Sequence, residues 1–311
     1  MESTARNQPA NPLLALSDAL AAVVERVSQS TLAVRGRSRH ALASGVVWKA
    51  GILVTAAHVF RRTPAAVSVL AADDKSFDAT LVGIDSSTDI AVLRLPDESV
   101  PAAEIGDASA VKTGHLALAV GRSADGDVTA SYGLVNRTSG AWQTWLGGQV
   151  DRLIRLDGGL YDGLSGGPVA DASGMVIGMA TSALSRSYGI VVPASTVSRV
   201  VDTLLTQGRV ARAFIGIGAQ PVEVPGAESA EAGTGLLVTS LARGGPADQA
   251  GILVGDIVLD VAGRPAFTLH ELRSALGSRI GERVRVALLR GGAPAEASVT
   301  IGEWPRAERS C

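Results

Sequence analysis

A single cysteine, Cys311, occupies the last of 311 positions, so no intrachain disulfide can staple the fold. Its thiol is either a free end or a link between molecules. With no cysteine pair and no spaced pair among four histidines (His40, His58, His115 and His270), the sequence offers no metal-ligand pattern, and no cofactor is expected. Aromatic residues make up only 4%, so the core must be built from Val, Leu, Ile and Ala. Net charge is nearly absent: 28 Lys and Arg face 30 Asp and Glu, a formal balance of −2. That balance favours neither nucleic acid nor an anionic surface as a partner. The basic cluster Arg35, Arg37, Arg39 and His40 reads first as a solvated loop, ahead of a binding patch.

Long apolar runs are missing as well. Leu13, Leu14, Leu16, Leu20, Val23, Val24 and Val27 follow helical spacing, but Ser17, Asp18, Glu25 and Arg26 interrupt them. An export signal needs ~7–15 unbroken apolar residues, and a membrane span needs ~20. Residues 1–30 are therefore expected to be an extension with an amphipathic helix that packs on the next domain. No membrane span is expected. The expected compartment is the cytoplasm, with the envelope or periplasm as the alternative.

What the chain has in excess is glycine, 36 residues or roughly 12% where ~7% is usual. From Thr31 to about Pro193 it punctuates short strand-like runs: Ser44–Lys49, Val67–Leu70, Ala79–Ile84, Ile90–Leu95, His115–Val120, Val128–Val135, Leu153–Leu156, Met175–Ala180 and Tyr188–Val192. Many short strands at close spacing predict a barrel or sandwich. Gly121–Asp127 and Ser139–Gly148 fall outside them; the second carries Trp142 and Trp145, read as packing first and as a lip beside the substrate second. From Ser195 to about Ala213 the pattern is helical. Val197, Val200, Val201, Leu204 and Leu205 share a face, and Gly208 sits where a C-terminal cap belongs. From Phe214 to about Gly302 strands with one short helix fit a small α+β module.

Three segments carry chemistry. The first is Gly163-Leu164-Ser165-Gly166-Gly167-Pro168. A serine hydroxyl attacks well only when a base takes its proton and donors await the oxyanion. The glycine before it can turn an amide inward, while Gly166 and Gly167 would let a substrate chain approach. The same string also fits an ordinary turn. The second is Val54-Thr55-Ala56-Ala57-His58-Val59, which puts an imidazole at a strand end, as a proton acceptor near neutrality or as a structural histidine. The third is Ser87-Thr88-Asp89 before the apolar run Ile90–Leu95, where a carboxylate either orients an imidazole or caps a turn, as its neighbour Asp85 does. The order His, Asp, Ser, with gaps of 31 and 76 residues, is that of the chymotrypsin-type proteases.

From about residue 20 to 302 the chain resembles the HtrA (Deg) family of trypsin-fold serine proteases. The resemblance implies a mainly β fold: a chymotrypsin-like double β-barrel over 31–195, a linker helix over 196–213, an α+β PDZ domain over 214–302 and a flexible tail over 303–311. It makes His58 the general base, Asp89 its orienter and Ser165 the nucleophile, with Gly163 and Ser165 as oxyanion donors. The chain departs from the family at Leu164, where Asn or Asp is usual, and at Thr55-Ala56-Ala57-His58-Val59, where Thr-Asn-x-His-Val is usual. Relatives that cut after Lys or Arg carry an acid six positions before the nucleophile; here that position is Gly159, followed by Leu160 and Tyr161. A basic side chain would be costly to bury there, so small or medium aliphatic residues are expected before the scissile bond, provided Asp157 and Asp162 do not point inward. Met179-Ala180-Thr181-Ser182 matches the strand segment that pairs with substrate backbone in the family, which adds Met179, Ala180 and Thr181 to the expected pocket.

The run Pro246-Ala247, Ala250-Gly251-Ile252, Gly255-Asp256-Ile257-Val258 and Gly263 is similar to a PDZ domain. In such a domain the loop amides around Phe214, Ile215, Gly216 and Ile217 capture a terminal carboxylate, and the peptide adds as a strand beside the helix Leu269–Leu276. His270 on that helix faces either the groove or solvent. The resemblance thus implies an ATP-independent endopeptidase that cleaves unfolded or exposed protein segments in quality control. C-terminal peptides would bind the PDZ domain, and the assembly would be a homotrimer, although no aromatic residue precedes Trp48. The alternative is a PDZ scaffold or holdase with an inert protease fold.

Overall fold

The computed structural model describes residues 11–35, 42–60, 67–71, 75–224, 233–277 and 279–304. Arg37, Arg39, His40 and Cys311 lie outside them, as does the expected tail beyond Trp304. Internal contacts divide the chain into one unit of Met1–Thr144 with Gln149–Val210 and another of Trp145–Gly148 with Ala211–Cys311.

The first unit opens with helix α1 (Pro12–Ser28). Asn11 caps it by accepting the Leu13 N–H at 3.1 Å, and Pro12 stands in its first turn, where no amide is needed. Only its second half meets the core, through Val23 and Val27 with Leu20 and Val24 beside them; Leu13, Leu14 and Leu16 are exposed.

Six antiparallel strands, β1 (Thr31–Arg35), β2 (Leu42–Lys49), β3 (Ile52–Ala56), β4 (Val67–Leu70), β5 (Ser76–Asp85) and β6 (Ile90–Arg94), close a barrel in the order β1-β2-β3-β6-β5-β4. The second barrel uses β7 (Leu116–Arg122) and β8 (Val128–Ser139). After a two-stranded ribbon, β9 (Trp142–Gln143) with β10 (Gln149–Val150), come β11 (Leu153–Leu156), β12 (Pro168–Asp171), β13 (Val176–Thr181) and β14 (Ile190–Pro193). It closes as β11-β14-β13-β12-β7-β8.

Strand periodicity explains why β2, β3 and β6 are apolar on both faces. Val47, Leu53 and Leu93 fill the first barrel, whereas Val46, Trp48, Ile52, Val54, Ile90 and Val92 point the other way. That second set meets Leu118, Val120, Ala170, Val176, Met179 and Val192 in a core shared by the two barrels. Each such side chain contributes about 1.5–3 kcal/mol on burial, so the shared core fixes the barrels against each other. Helix α2 (Ala194–Gln207) seals it with Val197, Val200, Val201 and Leu204. The helix stops short of the expected Ala213 because Gly208 takes φ +70 and donates back to the Leu204 carbonyl.

The second unit is a five-strand path of β16 (Ile217–Glu223), β17 (Thr234–Leu241), β18 (Ile257–Val261), β20 (Arg283–Arg290) and β21 (Ala293–Thr300). The short β19 (Arg264–Pro265) joins β18, and β15 (Ala213–Phe214) pairs with β22 (Gly302–Glu303). It has two helices where one was expected: α3 (Pro246–Gln249), started by Pro246, and α4 (Leu269–Leu276). A reciprocal cap between Thr268 and Glu271 begins α4. The expected mainly β fold, a double barrel followed by a small α+β module, is the fold observed.

Candidate active site

Strand β3 ends at Ala56, and one tight turn, Ala57–Val59, carries His58 out of the sheet. Asp89 ends the turn before β6 with φ +61, a left-handed backbone that costs a non-glycine residue about 1–2 kcal/mol. The turn is shaped by buried Asp85, whose carboxylate accepts the Ser87 N–H at 3.0 Å and the Thr88 hydroxyl at 2.7 Å. This turn aims the Asp89 carboxylate at His58. Oδ1 accepts the His58 amide at 2.8 Å, and Oδ2 lies 2.8 Å from His58 Nδ1. The Ala57 N–H closes the loop on the Asp89 carbonyl at 3.0 Å. The hydrogen bond to Asp89 raises the His58 pKa above the ordinary 6.5; partial burial opposes the rise, and the carboxylate charge adds to it. With Nδ1 engaged, Nε2 is left as the basic nitrogen.

Ser165 lies on the loop between β11 and β12, only 8% exposed. Its Oγ is 3.0 Å from Ser182 Oγ and accepts the Ser182 N–H at 3.3 Å. Among the described residues no hydrogen bond joins it to the His58 ring. Catalytic contacts of this kind often close only when substrate arrives. The end of β13 still links the parts. Thr181 Oγ1 donates to Asp89 Oδ2 at 2.5 Å, and its neighbour Ser182 holds Ser165. The three residues singled out from the sequence therefore meet in one network that crosses the two barrels.

Gly163 adopts φ +88, and neither its N–H nor that of Ser165 donates to any described acceptor. Two free amides beside a serine hydroxyl are what a developing oxyanion requires. Gly166 and Gly167 serve a different end from the one expected. A Cβ on Gly166 would lie 2.2 Å from the Ser44 carbonyl, and one on Gly167 would lie 2.2 Å from the Val120 carbonyl. They admit neighbouring strands rather than a substrate chain. Leu164 is buried within the second barrel, so the residue that departs from the family pattern anchors the loop by packing.

The expected pocket residues part company. Met179 points into the shared core and Ala180 into the second barrel, which leaves their backbone for pairing with substrate; Thr181 orients Asp89. Leu160 packs over Gly189 and Leu156, while Gly159 and Tyr161, the latter 74% exposed, remain at the surface. Asp157 and Asp162 are also exposed, so neither buries a charge in the pocket. Trp145 is 61% exposed and groups with the second unit, where the Arg273 guanidinium donates to its carbonyl at 2.7 Å. Two roles were not foreseen in the sequence, that of Ser44 and the hold of Ser182, named there only as part of a strand, on Ser165. A serine beside the buried apolar residues Ala43, Val46 and Val47 of β2 needs a partner, and that was the available signal at Ser44.

In the second unit Ile215 is buried in the core, and Phe214 makes an edge contact with Trp304 at 4.9 Å. Gly216 takes φ +82, and the amides of Ile215 and Gly216 donate to no described acceptor. The β16 edge beside them is unpaired among the described residues, and His270 on α4 is exposed.

Comparison with known proteins matches residues 43–179 to a trypsin-like peptidase domain and residues 237–290 to a PDZ domain. A probable periplasmic DegP-like serine endoprotease of Chlamydia pneumoniae is 30% identical over 264 residues, covering 82% of this chain and 54% of the relative. The putative serine protease HhoB of Synechocystis is 30% identical over 271 residues, covering 82% and 64%. The solved serine endoprotease from Yersinia pestis superposes with a TM-score of 0.70 at 27% identity, covering 96% of this chain and 100% of that one. An HtrA-type protease, AlgW with tripeptide, gives 0.68 at 26% identity, covering 93% and 98%. This chain belongs to the HtrA family. It spans about half to two thirds of the length of these curated relatives. The expected cytoplasmic placement is overturned by the relatives named as periplasmic, among them those of Chlamydia trachomatis and Halomonas elongata. The reason is physical: a compartment is set by a removable leader, and the folded barrels carry no trace of it.

Proposed function

We propose that the chain is an ATP-independent serine endopeptidase that cleaves unfolded or exposed protein segments in protein quality control. Residues 31–195 would be the catalytic part, 196–213 the connecting helix and 214–302 the PDZ domain. Ser165 would attack the carbonyl, His58 would take and return the proton, and Asp89 would hold the imidazolium. The amides of Gly163 and Ser165 would receive the oxyanion, and water would release the acyl group. The observation that carries this reading is the doubly bonded His58–Asp89 pair tied through Thr181 and Ser182 to Ser165. Leu160 over Gly189 supports a preference for small or medium aliphatic residues before the scissile bond.

The PDZ domain would take the C-terminus of a peptide, its carboxylate on the amides of Ile215 and Gly216 and its backbone along β16. A homotrimer belongs to the same proposal, and the exposed Leu13, Leu14 and Leu16 supply apolar surface for it. An inert scaffold is not favoured, because a chain relieved of catalysis has no chemical reason to keep His58, Asp89 and Ser165 together. Casein digestion by wild type and Ser165→Ala tests the proposal. Wild type is expected to be faster by about 10⁴-fold or more; equal, low rates would leave only a scaffold.

A further inference from the structure

The two residues whose amides would receive the oxyanion are also the two whose carbonyls are held by one residue of the other barrel. Ser44 of β2 donates its hydroxyl to the Gly163 carbonyl at 2.7 Å and its amide to the Ser165 carbonyl at 2.9 Å. Its side chain is fully buried, and its own position is fixed from two sides. The Arg122 N–H donates to Ser44 Oγ at 2.9 Å, which leaves the hydroxyl hydrogen one direction to point, toward Gly163. Thr55 Oγ1 donates to the Ser44 carbonyl at 2.7 Å. Arg122 is itself braced, its guanidinium donating to the carbonyls of Thr31, Gly126 and Ser28.

The Gly163 carbonyl needs such a holder. Glycine lacks the Cβ that would confine the backbone, so at φ +88 its peptide planes are free to rotate unless something grips them. In this family Asn or Asp usually precedes the serine; here Leu164 brings no polar group to the loop. We infer that Ser44 is a positioning residue for peptide hydrolysis: by holding the Gly163–Leu164 and Ser165–Gly166 peptide planes it limits rotation at Gly163 and Ser165, and so keeps the amides of those two residues aimed at the oxyanion. This rests on the proteolytic reading. Ser44 touches no substrate and acts through the loop alone. A donor held in place before reaction acts on the transition state and not on the bound substrate, so its loss lowers kcat and spares KM.

The test uses the full chain, a peptide substrate and five proteins: wild type, Ser44→Ala, Ser44→Cys, Ser30→Ala and Ser165→Ala. Ser30 is a buried serine that donates to the Val27 carbonyl at 3.0 Å and serves as the control for losing a buried hydroxyl. Ser44→Ala is expected to lower kcat by about 10- to 100-fold, with KM within about twofold of wild type. The rate of acylation by a serine-directed phosphonate should fall by a similar factor. Ser30→Ala should lose thermal stability and keep its kcat. Wild-type kcat in folded Ser44→Ala, or an equal loss in Ser30→Ala, overturns the assignment. Should Ser44→Ala fail to fold, Ser44→Cys decides: its thiol is a weaker donor of similar size. An intermediate kcat supports the role, and a wild-type kcat overturns it. Wild type no faster than Ser165→Ala is a separate outcome that removes the proteolytic reading itself.

Discussion

The two barrels hold their halves of the site in different ways. The first keeps His58 and Asp89 in place mainly through its own bonds, the His58 amide, the ring and the Ala57 amide all joined to Asp89, with Thr181 of the second barrel donating to the same carboxylate. The second shares the holding of its loop. The carbonyls of Gly163 and Ser165 are fixed by Ser44 of the first barrel, while from within the second barrel Leu164 packs beneath them, Ser182 holds the Ser165 hydroxyl, and Gly166 and Gly167 bond to Ala180. The first half is a local device of one turn and one strand end. The second depends more on how the two barrels pack, so a shift of the barrels acts on the loop through Ser44 and reaches the base through Thr181.

The largest effect should come from breaking the local device. Asp89→Asn leaves the shape and removes the charge, and activity on peptide should fall by about 10⁴-fold. The same variant sharpens the pH dependence. His58 must be neutral to take a proton, and its pKa is raised mainly by the Asp89 hydrogen bond, so the acid limb of wild-type kcat/KM should lie above pH 6.5. In Asp89→Asn burial alone remains, and the limb should move below that value. The stability linkage runs in the same sense. Because the folded pKa is raised, the His58–Asp89 interaction stabilises the fold fully below pH 6.5 and is lost as pH climbs through the raised value. The Tm gap between wild type and His58→Ala should therefore shrink from pH 6 to pH 9, and a constant gap would count against the pair.

A smaller and different effect should follow from pushing the barrels apart. Gly166→Ala adds a Cβ 2.2 Å from the Ser44 carbonyl at a residue with φ +86. Thermal unfolding should show a loss of about 2–4 kcal/mol. An unchanged Tm would mean that the loop is not pinned to β2.

This contrast also sets what was legible in the sequence. His58, Asp89 and Ser165 could be singled out because each sits in a short contiguous string whose chemistry is local. The mainly β fold was legible from strand-length apolar runs, and Gly208 marked the end of α2. Ser44 was not found, because its partners lie 78 and 119 residues away and nothing near it in the chain announces them. The side-chain directions of Met179 and Ala180 were not legible for a related reason: a fully buried strand shows no alternation, so the sequence could not say which core each would enter. The compartment was misjudged because folding physics does not encode it.

The most direct measurement is mass-spectrometric mapping of the adduct formed by a serine-directed phosphonate on wild type, Ser165→Ala and His58→Ala. A single adduct on Ser165 in wild type, absent from both variants, is the predicted result. Labelling of Ser182 or another serine, or labelling of Ser165 that survives loss of His58, would contradict the claim that these groups act as one site.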